Sequence, residues 1–77
     1  MQIKIKYFGL LTEITNCQEE YVTDSLLTVN ELLDLLFKKY PELKEKDFQV
    51  AQNNSIVAQG TKLDNTEIAL LPPFSGG

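Results

Sequence analysis

Thr28-Val29-Asn30-Glu31-Leu32-Leu33-Asp34-Leu35-Leu36-Phe37-Lys38-Lys39-Tyr40-Pro41 is the stretch that decides the fold. Thr28 and Glu31 stand at capping-box spacing, where a threonine hydroxyl accepts from the third helical N–H and the glutamate reaches back to the cap. Val29, Leu32, Leu33, Leu36, Phe37 and Tyr40 then recur at three- and four-residue intervals and make one broad apolar stripe. Lys38 and Lys39 fall in the last turn, where cations complement the helix dipole. Pro41 stops the helix, because its ring disfavours helical backbone in the residue before it. The stripe reads as core packing. Leu35 lies off it, at the edge of the core or toward a partner.

On either side the pattern changes from helical spacing to alternation. Upstream, Gln2 to Phe8 reads as a strand, with Ile3, Ile5 and Tyr7 on one face and Lys4 and Lys6 on the other. Gly9 punctuates it. Leu10 to Ile14 reads as a short helical turn closed by Thr15-Asn16, and Glu19 to Asp24 as a second strand centred on Tyr21-Val22-Thr23. Downstream, Pro41 to Asp47 is polar and reads as a turn with a helical fragment. Phe48 to Gln52 and Ser55 to Ala58 read as strands joined by Asn53-Asn54, since asparagine tolerates the positive φ of a tight hairpin. Gly60 to Thr66 is a loop with Leu63 pinned to the core, and Glu67 to Leu71 is the last strand. The order predicts an α+β fold: a small mixed sheet wrapped around one helix, in a single domain over 1–77 with 1–71 globular.

One helix covers one face of such a sheet. The other face must be polar or be covered by a partner. The last strand bears on this, because Ile68 and Leu70 point one way, Ala69 and Leu71 the other, and both sets are apolar. Either the strand is central and buried on both sides, or it offers an apolar platform. Pro72-Pro73 ends it, since proline donates no ladder hydrogen bond and two in succession favour an extended segment. Residues 72–77 then form a tail. Phe74 is an aromatic anchor, and Ser75-Gly76-Gly77 is slim enough for a channel that would reject larger side chains. Fully extended, six residues reach about 20 Å. Such an ending leads us to expect the chemistry at the Gly77 carboxylate, presented by a folded handle; Gly-Gly alone is a weak signal, strengthened here by the proline-stiffened exit from the last strand.

Composition removes the competing chemistries. The chain carries 7 basic and 11 acidic residues, a net charge of −4, which argues against a nucleic-acid or anionic-membrane footprint. There is no histidine and one cysteine, so a zinc site lacks its usual ligands and is not expected, and a histidine-assisted nucleophile has no base to draw on. Cys17 reads as a loop or half-buried residue without a role. No run approaches the ~18 apolar residues of a membrane span. A small domain without disulfides suits a reducing compartment, and the cytoplasm is the expected location.

Lys6-Tyr7-Phe8-Gly9 with Leu11-Thr12-Glu13, Thr28-Val29 with Glu31-Leu32, and Glu67-Ile68-Ala69-Leu70-Leu71-Pro72-Pro73-Phe74-Ser75-Gly76-Gly77 together resemble the small subunit of molybdopterin synthase, a ubiquitin-like β-grasp sulfur carrier. The closing motif is the specific one, and the resemblance covers essentially the whole chain. The chain departs from the family pattern at Thr12, where an arginine is usual, and at Asp64-Asn65-Thr66, where Asp-Gly-Asp is common.

The resemblance implies a mechanism. An activating, ubiquitin-activating-like adenylyltransferase uses ATP and magnesium to adenylate Gly77, and a persulfide donor supplies sulfur to give a thiocarboxylate. The tail then enters the active site of the large subunit of molybdopterin synthase, within a heterotetramer, and donates sulfur to the pterin precursor, cyclic pyranopterin monophosphate. No cofactor is stably bound by the carrier itself, and it is an enzyme only as the sulfur-donating subunit of that complex. Gly76, Ser75, Phe74, Pro73 and Pro72 guide the tail. Phe8, Ile56 and Leu71 match the docking positions of relatives, against the plainer reading of core or incidental surface. The alternatives are a carrier for thiamin thiazole synthesis, a ubiquitin-like modifier joined to lysines, and an interaction module whose tail does nothing.

Overall fold

The structure, a computed structural model, describes residues 2–23, 25, 28–64 and 67–72. Five strands form one mixed sheet: β1 (Ile3–Tyr7), β2 (Glu19–Val22), β3 (Gln49–Gln52), β4 (Ser55–Val57) and β5 (Ile68–Leu71). Their order across the sheet is β2-β1-β5-β3-β4. β1 and β5 pair in parallel, and the other neighbours are antiparallel. The main helix α2 (Val29–Lys39) crosses one face; a 3₁₀ turn (Pro41–Glu45) follows its C-terminal end and packs with a short α1 (Leu11–Thr15) that follows β1. This is the expected β-grasp.

The helix forms for the reasons its sequence gives. The Thr28 hydroxyl accepts from the Glu31 N–H at 3.2 Å. The two N–H groups before it are taken by the loop ahead of β5. Val29 N–H donates to the Thr61 carbonyl at 2.9 Å, and Asn30 N–H to the Gln59 carbonyl at 2.7 Å. A helix start leaves such donors without intrahelical partners, and here tertiary contacts complete them. Val29, Leu32, Leu33 and Leu36 are buried, and Phe37 and Tyr40 lie at the margin. Each fully buried aliphatic side chain contributes about 1.5–3 kcal/mol relative to an exposed one. Leu35 packs at the edge of the core. Phe37 meets Phe48 edge to face at 6.2 Å, so Phe48 serves the core from just ahead of β3.

The facing sheet surface supplies Ile3, Ile5, Tyr7, Val22, Val50, Ile68 and Leu70, all buried. Asn53 and Asn54 both adopt positive φ, +55° and +63°, as the two-residue hairpin requires. Gln52, buried on the helix side, donates its amide to the Lys62 carbonyl at 3.0 Å and accepts from the Asp64 N–H, which fixes the loop carrying Leu63. Leu63 packs against the core as expected. Asp24, read as the end of the second strand, and Asn65 and Thr66 lie outside the described residues.

At the end of α2 a polar cluster ties the helix to the sheet. The Tyr7 and Tyr40 hydroxyls both donate to Glu20 Oε1, and Lys39 Nζ donates to Oε2 at 2.7 Å. The two tyrosine rings meet edge to face at 6.3 Å. The Glu20 side chain is only 14% exposed. Burial works against its charge, but the hydrogen bonds from Lys39, Tyr7 and Tyr40 outweigh it and hold the carboxyl below its usual range. Burial, then the Glu20 hydrogen bond, pushes the Tyr7 hydroxyl well above the ordinary tyrosine range.

Candidate functional site: the open sheet face and the root of the tail

Because α2 covers one face of the sheet, alternate residues of every strand are left on the other. The ladder registers arrange them in rows. One row runs Glu19, Lys6, Ala69, Ala51 and Ile56 from β2 across to β4. The row toward the tail places Leu71, the last residue of β5, beside Gln49, with Phe8 following Tyr7 out of β1. The opposite end of the face carries Tyr21 beside Lys4.

The rows divide the face into two chemistries. Toward β2 it is ionic: Lys4 Nζ lies 3.0 Å from Glu19 and 4.0 Å from Glu67, and Lys6 Nζ lies 3.5 Å from Glu67. The Glu19 hydrogen bond raises Lys4 above the ordinary lysine range despite some desolvation. Toward β4 and the tail end the face is mostly apolar: Ala69, Leu71, Ile56 and the buried Ala51 lie there with exposed Gln49 among them, and Phe8 closes the β1 side next to Lys6. Ile56 is 53% exposed and Phe8 42%, while Leu71 is half-buried. The three expected docking residues therefore share one face. β5 is central in the sheet, but only its Ile68–Leu70 side is closed, and Ala69 and Leu71 stay half-buried. Of the two readings of the last strand, the platform is the one the fold adopts.

The tail departs from the end of this apolar half. Pro72 is half-buried against the β1–α1 turn at Gly9. The expected tail residues Pro73, Phe74, Ser75, Gly76 and Gly77 lie outside the described residues. Among the described residues no helix is long and apolar enough to cross a membrane.

A family model, the ThiS family, matches residues 5–77 and so spans the open face and the tail together. The chain belongs to the ThiS family. Within reach of that family it is 31% identical over 83 residues to the molybdopterin synthase sulfur carrier subunit of Caenorhabditis briggsae, covering 100% of this chain and 99% of that one. A chain of the Helicobacter pylori protein–protein complex of subunits 1 and 2 of molybdopterin-converting factor superposes with a TM-score of 0.70 at 25% identity, each chain covered in full. The H. volcanii small archaeal modifier protein 1 superposes with a TM-score of 0.79 at 26% identity, over 94% of this chain and 97% of that one. The resemblance carried by the sequence motifs thus extends over the whole ThiS-family chain.

Two features of the site were not legible as such in the sequence. Gly9 reads there as punctuation after a strand, whereas the fold sets it against Pro72. The ion pairs of Lys4 and Lys6 with Glu67 join residues from opposite ends of the chain. The parallel β1–β5 pairing creates both, and no local pattern announces a pairing over that separation.

Proposed function

We propose that this chain is the sulfur carrier of a molybdopterin synthase, and that its working group is the Gly77 carboxylate. A free carboxylate is a poor electrophile. A ubiquitin-activating-type adenylyltransferase, using ATP and magnesium, joins it to AMP with loss of pyrophosphate. A persulfide sulfur then attacks the acyl carbon and expels AMP, and cleavage of the S–S bond by a thiol leaves a thiocarboxylate. The charged tail enters the large subunit, where the thiocarboxylate gives its sulfur to the pterin precursor, cyclic pyranopterin monophosphate. Two carriers supply the two dithiolene sulfurs of molybdopterin, in a heterotetramer built on a large-subunit dimer.

The observation that carries this reading is the apolar surface of Phe8, Ile56, Ala69 and Leu71 on the open face, which reaches the strand end at Leu71 from which the tail leaves. A body that docks through that patch holds the tail at the partner's active site. The full-length likeness to the C. briggsae sulfur carrier subunit supports the pathway, and the likeness to the H. pylori two-subunit complex supports the partner. General acid and base groups are assigned to the partners, since residues 72–77, Pro-Pro-Phe-Ser-Gly-Gly, carry no acidic, basic or thiol side chain. Gly76 keeps the channel clear, while Phe74, Ser75 and Pro72-Pro73 guide the tail.

The test is intact-mass spectrometry after incubation with an adenylyltransferase of this type, ATP, magnesium and a persulfide donor. The expected product gains the mass difference between sulfur and oxygen at the terminus. An unchanged mass, with an enzyme that charges a known carrier in parallel, would falsify the carrier reading. A second reading, a modifier joined to lysines, is favoured by the likeness to the small archaeal modifier protein. It predicts an amide-linked conjugate in place of a released thiocarboxylate, and the same spectra separate the two.

A further inference from the structure

We propose that Gly9 is a positioning residue: a side-chain-free seat on which Pro72 rests, setting the direction in which the tail leaves the sheet. The proposal rests on the reading that the tail carries the reacting group.

The seat follows from the ladder. β1 and β5 pair in parallel with Tyr7 beside Leu70, so two residues further along each chain Gly9 comes beside Pro72. Gly9 has φ +60°, a backbone conformation that a Cβ disfavours. A Cβ added there would also lie 3.0 Å from Pro72 Cγ, 3.6 Å from its Cβ and 3.7 Å from its Cδ. The neighbour is a proline ring: its pucker can carry Cγ back by a few tenths of an ångström, but Cβ and Cδ, already in contact at 3.6 and 3.7 Å, are fixed to the backbone, so further relief has to come from a shift of Pro72 itself.

The turn on the other side of this contact is braced. The Gly9 carbonyl accepts from the Thr12 N–H at 3.2 Å and from the Thr12 hydroxyl at 2.8 Å, and the Phe8 carbonyl accepts from the Leu11 N–H at 3.2 Å. Leu71, just before Pro72, is held in register with Gln49. Pressure from a side chain at position 9 is therefore relieved at Pro72, the first residue beyond the ladder. Whatever follows Pro72 is re-aimed. Thr12 is in this chain the brace of that seat.

The experiment compares Gly9→Ala, Pro72→Ala and the double variant with the wild-type chain. A nitroxide on Ser75→Cys, in a Cys17→Ser background, reports where the tail points by broadening nearby amide signals. Adenylation by a ubiquitin-activating-type enzyme, followed as pyrophosphate release, reports the consequence.

The wild-type label should broaden a confined set of amides, and both single variants should redistribute that set. Each single variant should lower the adenylation kcat about ten-fold with little change in KM, because the body docks normally while its end is misplaced. The double variant should be no slower than Gly9→Ala alone, since both changes act at one contact. Gly9→Ala also strains the turn and lowers the melting temperature. Pro72→Ala leaves the turn intact and so separates aim from folding. An unchanged broadening pattern in both single variants overturns the proposal, as do multiplying effects in the double variant or a loss confined to KM. If the wild-type chain is not adenylated at all, the functional reading fails, and the label alone decides whether Gly9 seats the tail.

Discussion

The two faces of the sheet are built from the same strands, yet they do opposite work. The face under α2 is filled by Ile3, Ile5, Tyr7, Ile68 and Leu70 against Val29, Leu32, Leu33 and Leu36, and it is closed. The other face carries ion pairs on one half and an apolar surface on the other, with Ile56 and Phe8 substantially exposed. A domain this small has one core, so nearly all of its stability resides on the first face. The second face is free to be shaped for contact. The difference teaches that stability and recognition are separable here by side-chain parity along each strand.

The largest test of that separation lies beyond both faces. Deleting Gly77, or extending the chain past it with one bulky residue, should abolish charging entirely while leaving the melting curve unchanged. Retained sulfur transfer by an unprocessed extended chain would break the assignment.

On the closed face, Leu36→Ala removes a fully buried side chain at the centre of the stripe. It should cost about 2–5 kcal/mol of unfolding free energy, measured by denaturant titration. Tail chemistry should persist at temperatures where the variant stays folded.

Ile56→Asp on the open face should do the reverse. Stability should stay within about 0.5 kcal/mol of wild type. Partner binding should weaken by about 2 kcal/mol, as expected for a central apolar contact, and titration calorimetry with the large subunit would measure it. Normal affinity in this variant would mean that the partner docks elsewhere.

The smallest effect concerns the polar tie beneath the helix end. Glu20 titrates below its usual range when folded, so its contribution is complete above the ordinary glutamate value of about 4.3 and is lost as pH falls through the depressed folded value. Tyr7 is shifted upward, so its contribution is complete below the ordinary tyrosine range and is lost as pH rises through its folded value. Glu20→Gln should cost about 1 kcal/mol at neutral pH and flatten the acid limb of a melting-temperature profile. An acid limb identical to wild type would show that other carboxylates set it.

Much of this molecule was readable along the chain. The Thr28 cap, the stripe from Val29 to Tyr40, the Asn53-Asn54 hairpin and the parity of β1 all depend on neighbours within a few residues, and each takes the expected form. The strands run a residue or two shorter than their alternation, because pairing rather than propensity ends them. The docking residues were legible only through family resemblance, since an exposed Phe8 or Ile56 looks locally like any strand residue.

Sequence alone determined the elements, the absence of histidine from these 77 residues, and the slender Ser75-Gly76-Gly77 stretch, because backbone preference, side-chain type and periodicity are local properties. Only the tertiary structure decided that β5 lies between β1 and β3, that Ala69, Ala51 and Ile56 join into one surface, and that Pro72 meets Gly9. Those are consequences of pairing strands from opposite ends of the chain, and a register between distant segments is settled by how both bury their apolar sides against the same helix.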